Sequence, residues 1–197
     1  MAGVRTIKIT GQDIHQYLDK LAALRIEVFR HFPYLYDGSQ AYEKKYLQTY
    51  AKANGSAIIL ATEQEEVVGA STCIPLSEET SALKQSFKNT AYNMDEIMFF
   101  GESVLKETYR GRGIGVEFFR QREGHARQLE KKYATFCAVQ RTSNHPLRPA
   151  GYQSLHNFWK KRGYTPLPQV STQMEWKDVD QSEESSKTLN FWIKKLV

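Results

Sequence analysis

The spacing of apolar positions along this chain changes several times, and each change marks an element. In "VRTIKIT" (4–10) apolar and polar residues alternate, which predicts a strand. From Asp13 to about Arg30, Ile14, Tyr17, Leu18, Leu21, Leu24 and Val28 recur every three or four residues, the stripe of an amphipathic helix. Pro33 and Gly38 within "HFPYLYDGS" (31–39) interrupt it, and a second helix is expected over 40–53, ending at Asn54-Gly55. "SAIILATE" and "VVGASTCI" are apolar runs joined by the charged "QEE", the pattern of a hairpin. Polar, weakly helical residues 77–95 lead to a strand, "EIMFFGESVL" (96–105).

Further along, Ile114, Phe118, Phe119, Arg122, Ala126 and Leu129 lie on one helical face, and "YATFCAVQR" (133–141) reads as a buried strand. Strand, helix and strand make a right-handed βαβ unit with a parallel pair. Pro146 and Pro149 bound a loop, after which Tyr152, Leu155, Trp159 and Arg162 mark a helix face that stops at Gly163. "VSTQMEW" (170–176) is a late strand. "SSKTLNFWIKKLV" is expected to close the chain as an amphipathic helix, with Leu189, Trp192, Ile193 and Leu196 on one side.

With 197 residues and 41% hydrophobic content, one core and one domain over 1–197 are expected. No stretch approaches the roughly 18 apolar residues of a membrane span, and "MAGVRTIKIT" lacks the apolar core of a signal peptide. A cytoplasmic protein without a membrane partner is therefore expected. Cys73 and Cys137 sit in apolar strand-like runs without CxxC spacing, which points away from a disulfide framework or a metal site. The formal charge of +5 is scattered in pairs such as Lys131-Lys132 and Lys160-Lys161, so nucleic acid is not the expected partner. Arg110, Arg112, Arg120 and Arg122, however, crowd one loop and the helix after it, which suits an anionic ligand.

In "GESVLKETYRGRGIG" (101–115), three glycines and two arginines separate a predicted strand from that helix. A helix N-terminus leaves N–H groups unpaired at the positive end of the macrodipole, and a glycine entry lets them close around phosphate oxygens. Flanking arginines add charge-assisted bonds, so a diphosphate is a natural guest. No Gly-Lys-Ser/Thr follows, as a P-loop requires, and the glycines run GxGxG instead of the dinucleotide GxGxxG.

What matches is R-x-x-G-x-G, from Arg110 to Gly115, which resembles the acetyl-CoA pyrophosphate loop of the GNAT N-acetyltransferase superfamily. The order of elements agrees over nearly the whole chain. The family's aromatic-Tyr-x-x-x-Gly-aromatic ending appears as Phe158-Trp159-Lys160-Lys161-Arg162-Gly163-Tyr164. The resemblance implies an α+β, α/β/α layered fold: a mixed, mostly antiparallel central sheet whose parallel βαβ pair forms the acetyl-CoA cleft. It implies direct transfer of an acetyl group from acetyl-CoA to an amine of a small molecule or peptide, without a metal, in a monomer or homodimer. By the same resemblance, acetyl-CoA contacts are expected on Val104, Leu105, Arg110, Gly111, Arg112, Gly113, Ile114, Gly115 and Trp159.

A primary amine is protonated at neutral pH, so a base must take a proton before or during attack, and the leaving thiolate needs a donor. The thioester oxygen needs a backbone N–H, in this family from the strand before the loop, near Val104 or Leu105. Glu102, eight residues ahead of Arg110 in an apolar segment, is the first candidate base; the alternative is an edge-facing or salt-bridged glutamate. Where relatives carry a tyrosine as acid this chain has Trp159, which leaves Tyr152 and His145 as substitutes, or Tyr152 as a packing aromatic. The asparagine often found at the start of this helix is also missing. Cys137 as an acyl-accepting nucleophile is a lesser rival.

Substrate choice in the family is commonly set by the loop between the first two helices, here "HFPYLYDG". Tyr34, Tyr36 and Asp37 could wall a pocket for a cationic amine, or plug the core. Arg141 and Arg148 could instead grip a substrate carboxylate. A CoA-binding module without catalysis and a basic nucleic-acid binder are the competing functions.

Overall fold

Strands that read as continuous apolar runs are those covered on both faces. Ile58 and Leu60 point into one cluster and Ala57, Ile59 and Ala61 into others, so alternate residues of a single strand serve opposite sides of the sheet. The computed structural model describes residues 3–196. Its strands are β1 (Arg5–Ile9), β2 (Ala57–Glu63), β3 (Glu66–Pro75), β4 (Ile97–Phe99), β5 (Ser103–Leu105), β6 (Tyr133–Val139), β7 (Thr165–Lys177) and β8 (Glu184–Lys195). They form one sheet in the order β1-β2-β3-β4-β6-β8-β7, with β5 also on β3. Every pairing is antiparallel except β4 with β6.

Helices α1 (Leu18–Phe29) and α2 (Gln40–Lys52) cover one face, where Leu21, Leu24, Leu47 and Tyr50 pack on Ile58, Leu60, Ala70 and Ile74. Two short helical stretches frame α3 (Ser81–Gln85) in the segment after β3. On the other face lies α4 (Ile114–Gln128), whose Phe118 and Phe119 meet Ile59, Val68, Phe100 and Phe136. The layers are thus α/β/α. Gln64 and Glu65, at φ 49° and 72°, make the tight turn between β2 and β3.

Three segments differ from the sequence-based expectation. Residues 184–195 form β8, not a closing helix. Leu189, Phe191 and Ile193 alternate toward one face while Trp192 faces the other, and β6 and β7 flank the strand. A run buried on both sides carries apolar residues at every spacing, including the helical one. The second difference is that 96–105 breaks after Phe99, leaving β4 and β5 separated by Phe100-Gly101-Glu102. Thirdly, α5 is confined to His156–Lys160; Tyr152 lies in the preceding loop and Leu155 is 54% exposed.

Candidate active site

The break after β4 opens the sheet. β4 runs parallel to β6 from Ile97 opposite Tyr133 to Phe99 opposite Thr135, and Phe100 N–H donates to Thr135 O at 2.8 Å. Beyond that rung β5 bonds to β3 alone and Cys137 to Val139 bond to β8 alone, so the two strands part. Gly101 makes the break: a Cβ there would lie 2.0 Å from the Tyr50 hydroxyl and 2.6 Å from Thr72 Oγ1. Thr72 N–H donates to Glu102 O and Lys106 N–H to Val68 O, so even-numbered residues of this ladder turn their main-chain groups to β3. Of the two positions expected to face the acetyl group, Leu105 rather than Val104 therefore turns its amide to the opening.

Arg122 secures the break from the α4 side. Only 2% exposed, it donates from Nη1 to Glu102 O (3.1 Å) and Thr72 O (3.3 Å) and from Nη2 to Ser103 Oγ (2.8 Å), with its guanidinium 4.3 Å from the Phe100 ring centre. An arginine within the apolar stripe of this helix was the sequence sign of this role.

The glycine loop stands where β5 ends. Gly111 and Gly113 have φ of 77° and 82°, a region that side chains strain to enter, and Gly113 is the N-cap of α4. No protein acceptor takes the amides of Gly111, Arg112, Gly113, Ile114 or Gly115 among the described residues. A Cβ on Gly111 or Gly113 would meet nothing within 4 Å, so open space lies beside the loop at both glycines. Arg110 is exposed, and Arg112 donates to Thr108 O and lies over the Tyr109 ring. A groove of about 200 Å³ beside the loop is lined by the cations Lys106 and Arg110 and by His31 and Thr108, together with Glu27 and Glu107. Donors, dipole and cations fit a diphosphate. Gly115 faces Phe158 of α5, 3.3 Å from its missing Cβ.

On the α1–α2 side of the break Glu102 is buried, its Oε2 2.5 Å from Arg25 Nη1. The same guanidinium pairs through Nε with Glu43 of α2 and lies over the rings of Phe29 and Tyr46. Burial opposes the charge of Arg25, but Glu102 and Glu43 hold its pKa well above the ordinary arginine value. Glu79 accepts from Thr80 N–H and the Tyr50 hydroxyl, and burial raises its pKa. Glu43 sits in phase with Leu47 and Tyr50 on the inner face of α2, a pattern readable in the sequence; Glu79 lies in a polar stretch with no such sign.

The tyrosine loop between α1 and α2 meets this group. Burial raises the pKa of the Tyr34 hydroxyl, with Cys137, Glu102 and Tyr152 adding to the rise and Arg25 opposing it, so these groups lie in mutual electrostatic reach. Tyr36 is raised by burial and by Glu43 beside it. Asp37 is outside this group: its carboxylate pairs with Lys177 and Arg30, whose hydrogen bonds hold its pKa low. Arg141 grips no open site. It donates to both oxygens of Asp178 and to the carbonyls of Pro33 and Tyr34.

Tyr152 packs edge-on against Phe32 at 4.6 Å, under the Arg148 guanidinium, and burial raises its hydroxyl pKa. His145 lies 5.8 Å from the same Phe32 ring. Trp159 is part of an aromatic group with Phe136, His156 and Trp192. Burial pushes the Cys137 thiol up to about 12, the protonated and unreactive form at neutral pH.

The profile of the acetyltransferase (GNAT) family matches residues 21–164, most of the chain and all of the elements around the opening. This chain belongs to the GNAT acetyltransferase family. No curated protein matches this GNAT chain in sequence. Solved structures share its fold at low identity. The ribosomal-protein-alanine N-acetyltransferase of Brucella melitensis superposes with a TM-score of 0.62 at 12% identity, over 97% of this chain and 99% of its own. A GNAT-family acetyltransferase of Staphylococcus aureus Mu50 gives 0.61 at 12%, over 99% and 100%. YncA of Salmonella typhimurium, solved with its cofactor acetyl-CoA, gives 0.61 at 10%, over 98% and 95%. Among the described residues no helix of this GNAT protein is long and apolar enough to cross a membrane.

Proposed function

We propose that this protein transfers the acetyl group of acetyl-CoA to an amine by direct attack. The observation that carries this reading is the set of unpartnered amides from Gly111 to Gly115, at the head of α4 and beside the parted strands. Those amides, with Arg110 and Arg112, would hold the diphosphate, and Phe158 and Trp159 would border the pantetheine arm. When bound, acetyl-CoA supplies an acetyl group activated as a thioester.

The protein's own groups have the remaining tasks. Leu105 N–H, turned to the opening, donates to the oxygen on which charge develops. Glu102 takes the proton that the attacking nitrogen loses as the C–N bond forms and the C–S bond breaks, directly or through a water. Arg25 Nη1, 2.5 Å from Glu102 Oε2, orients that carboxyl group. Tyr152, whose raised pKa keeps its hydroxyl protonated at neutral pH, returns a proton to the sulfur. Trp159 in place of the usual tyrosine favours a second reading, a CoA-binding module with little catalysis.

Turnover of acetyl-CoA against a panel of amines, amino acids and peptides separates the two. Transfer that Glu102→Gln abolishes while acetyl-CoA still binds supports the enzyme. Tight binding with no transfer anywhere in the panel supports the module.

A further inference from the structure

Between α1, α2 and the Gly101 break, two carboxyl groups share one guanidinium and a third lies within electrostatic reach of Glu102. Glu43, Glu79 and Glu102 are 1%, 2% and 5% exposed and Arg25 is 9% exposed. Arg25 pairs with Oε2 of Glu43 and of Glu102, and Oε1 of each accepts no hydrogen bond. A buried carboxylate oxygen without a donor is costly, and folded proteins ordinarily supply one. Glu79 avoids that cost, because Thr80 and Tyr50 bond it and its raised pKa favours the neutral acid. Arg122, the other guanidinium near Glu102, lies across the sheet with its N–H groups on main-chain carbonyls and Ser103.

The Tyr36 hydroxyl lies beside Glu43, but one guanidinium serves both carboxylates, so the site is short of positive charge at two adjacent points. Tyr34, Tyr36 and Tyr46 border it, each half-buried, and aromatic faces of this kind accommodate alkylammonium groups. Of the cations that could hold a substrate carboxylate, Arg141 and Lys187 are paired with Asp178, while Arg148 stacks on Phe32 and Tyr152 without an ion pair among the described residues. We propose that the acceptor is an aliphatic diamine or polyamine. One protonated nitrogen donates to Oε1 of Glu43, and a second nitrogen, freed of its proton, reacts beside Glu102. Because both carboxylates hang on one guanidinium, a short methylene chain joins the two points. This assignment rests on amine acetylation being the reaction.

The test uses the full chain with 1,4-diaminobutane, n-butylamine, which has the same carbon chain and one nitrogen, and glycine as a carboxylate-bearing amine. Binding of 1,4-diaminobutane is measured by calorimetry without acetyl-CoA, and kcat/KM by thiol release. Expected is a kcat/KM for the diamine about tenfold or more above that for butylamine, with glycine poorest. Glu43→Gln should narrow the diamine-to-butylamine ratio by a similar factor. Equal use of the two amines, or preference for glycine, overturns the proposal, as does a Glu43→Gln protein that loses both amines in proportion. If that variant does not fold, the wild-type ratio and the calorimetric titration decide alone. Diamine binding without acetylation upholds the site and refutes the transfer reaction; acetylation of butylamine and diamine alike does the reverse.

Discussion

Arg141 and Asp178 face each other through two parallel hydrogen bonds of 2.7 and 2.8 Å, and the same guanidinium holds the carbonyls of Pro33 and Tyr34. Trp176 Nε1 donates to Tyr34 O as well, and Val179 N–H bonds Leu35 O, where φ is 55°. A bulky residue keeps that left-handed conformation only where its surroundings over-determine it. Arg141 is thus a positioning residue for Tyr34. Arg141→Ala should raise the acceptor KM about tenfold while acetyl-CoA affinity stays put. Arg141→Lys, unable to fork onto Asp178, should recover only part of it. Steady-state kinetics with both substrates varied, beside calorimetry for acetyl-CoA, checks the split; a fall in kcat alone would count against it.

The cradle makes its own prediction. Gly113→Ala places a Cβ where φ is 82°, a strain of about 1 kcal/mol, on the side where no protein atom lies within 4 Å. Acetyl-CoA should bind about tenfold more weakly. Lys131→Ala, whose ammonium reaches only the Asp95 carbonyl, serves as control and should bind normally. Equal affinities by calorimetric titration would remove the diphosphate from this loop.

Asp178 gives the pH dependence. Burial alone would raise its pKa, but the hydrogen bond and charge of Arg141, helped by Lys187, hold it below 3.8. A carboxylate depressed on folding contributes stability in full above its unfolded value, and that contribution drains away as pH falls through the folded value. Asp178→Asn should therefore cost about 3 kcal/mol at neutral pH, since it leaves two buried cations unpaired. The gap to wild type should shrink below 3.8. Urea denaturation at neutral pH and at about pH 3 measures both.

Cys137→Ala is expected to keep turnover within about threefold of wild type, because a thiol pushed up to about 12 is no nucleophile at neutral pH. Mass spectrometry after mixing with acetyl-CoA should find no acetyl adduct. An adduct lost in this variant would establish a ping-pong route.

Much of the frame was legible because amphipathic spacing is a local signal. The α1 and α4 stripes, the β2–β3 hairpin and the glycine entry to α4 each declare themselves within a short window. β8 did not, since Leu189, Trp192, Ile193 and Leu196 satisfy a helical spacing and a two-sided strand equally well. The site was harder. Glu102 and Tyr34 carry a local sign, but Arg25, Glu43 and Glu79 come together only through the packing of α1 and α2 on the sheet. The partner of Arg141 lies 37 positions away along the chain, beyond the reach of any motif.

The position of β8 between β6 and β7 has a consequence for biosynthesis. On the ribosome, β6 is made well before residues 184–195 emerge, and until then its outer edge offers unsatisfied main-chain groups to any passing strand. The half of the sheet that borders the opening can close only when that late segment threads in beside it. A stall, a slow codon cluster or a missing chaperone in that interval would expose an aggregation-prone nascent chain, whatever the finished protein's equilibrium stability.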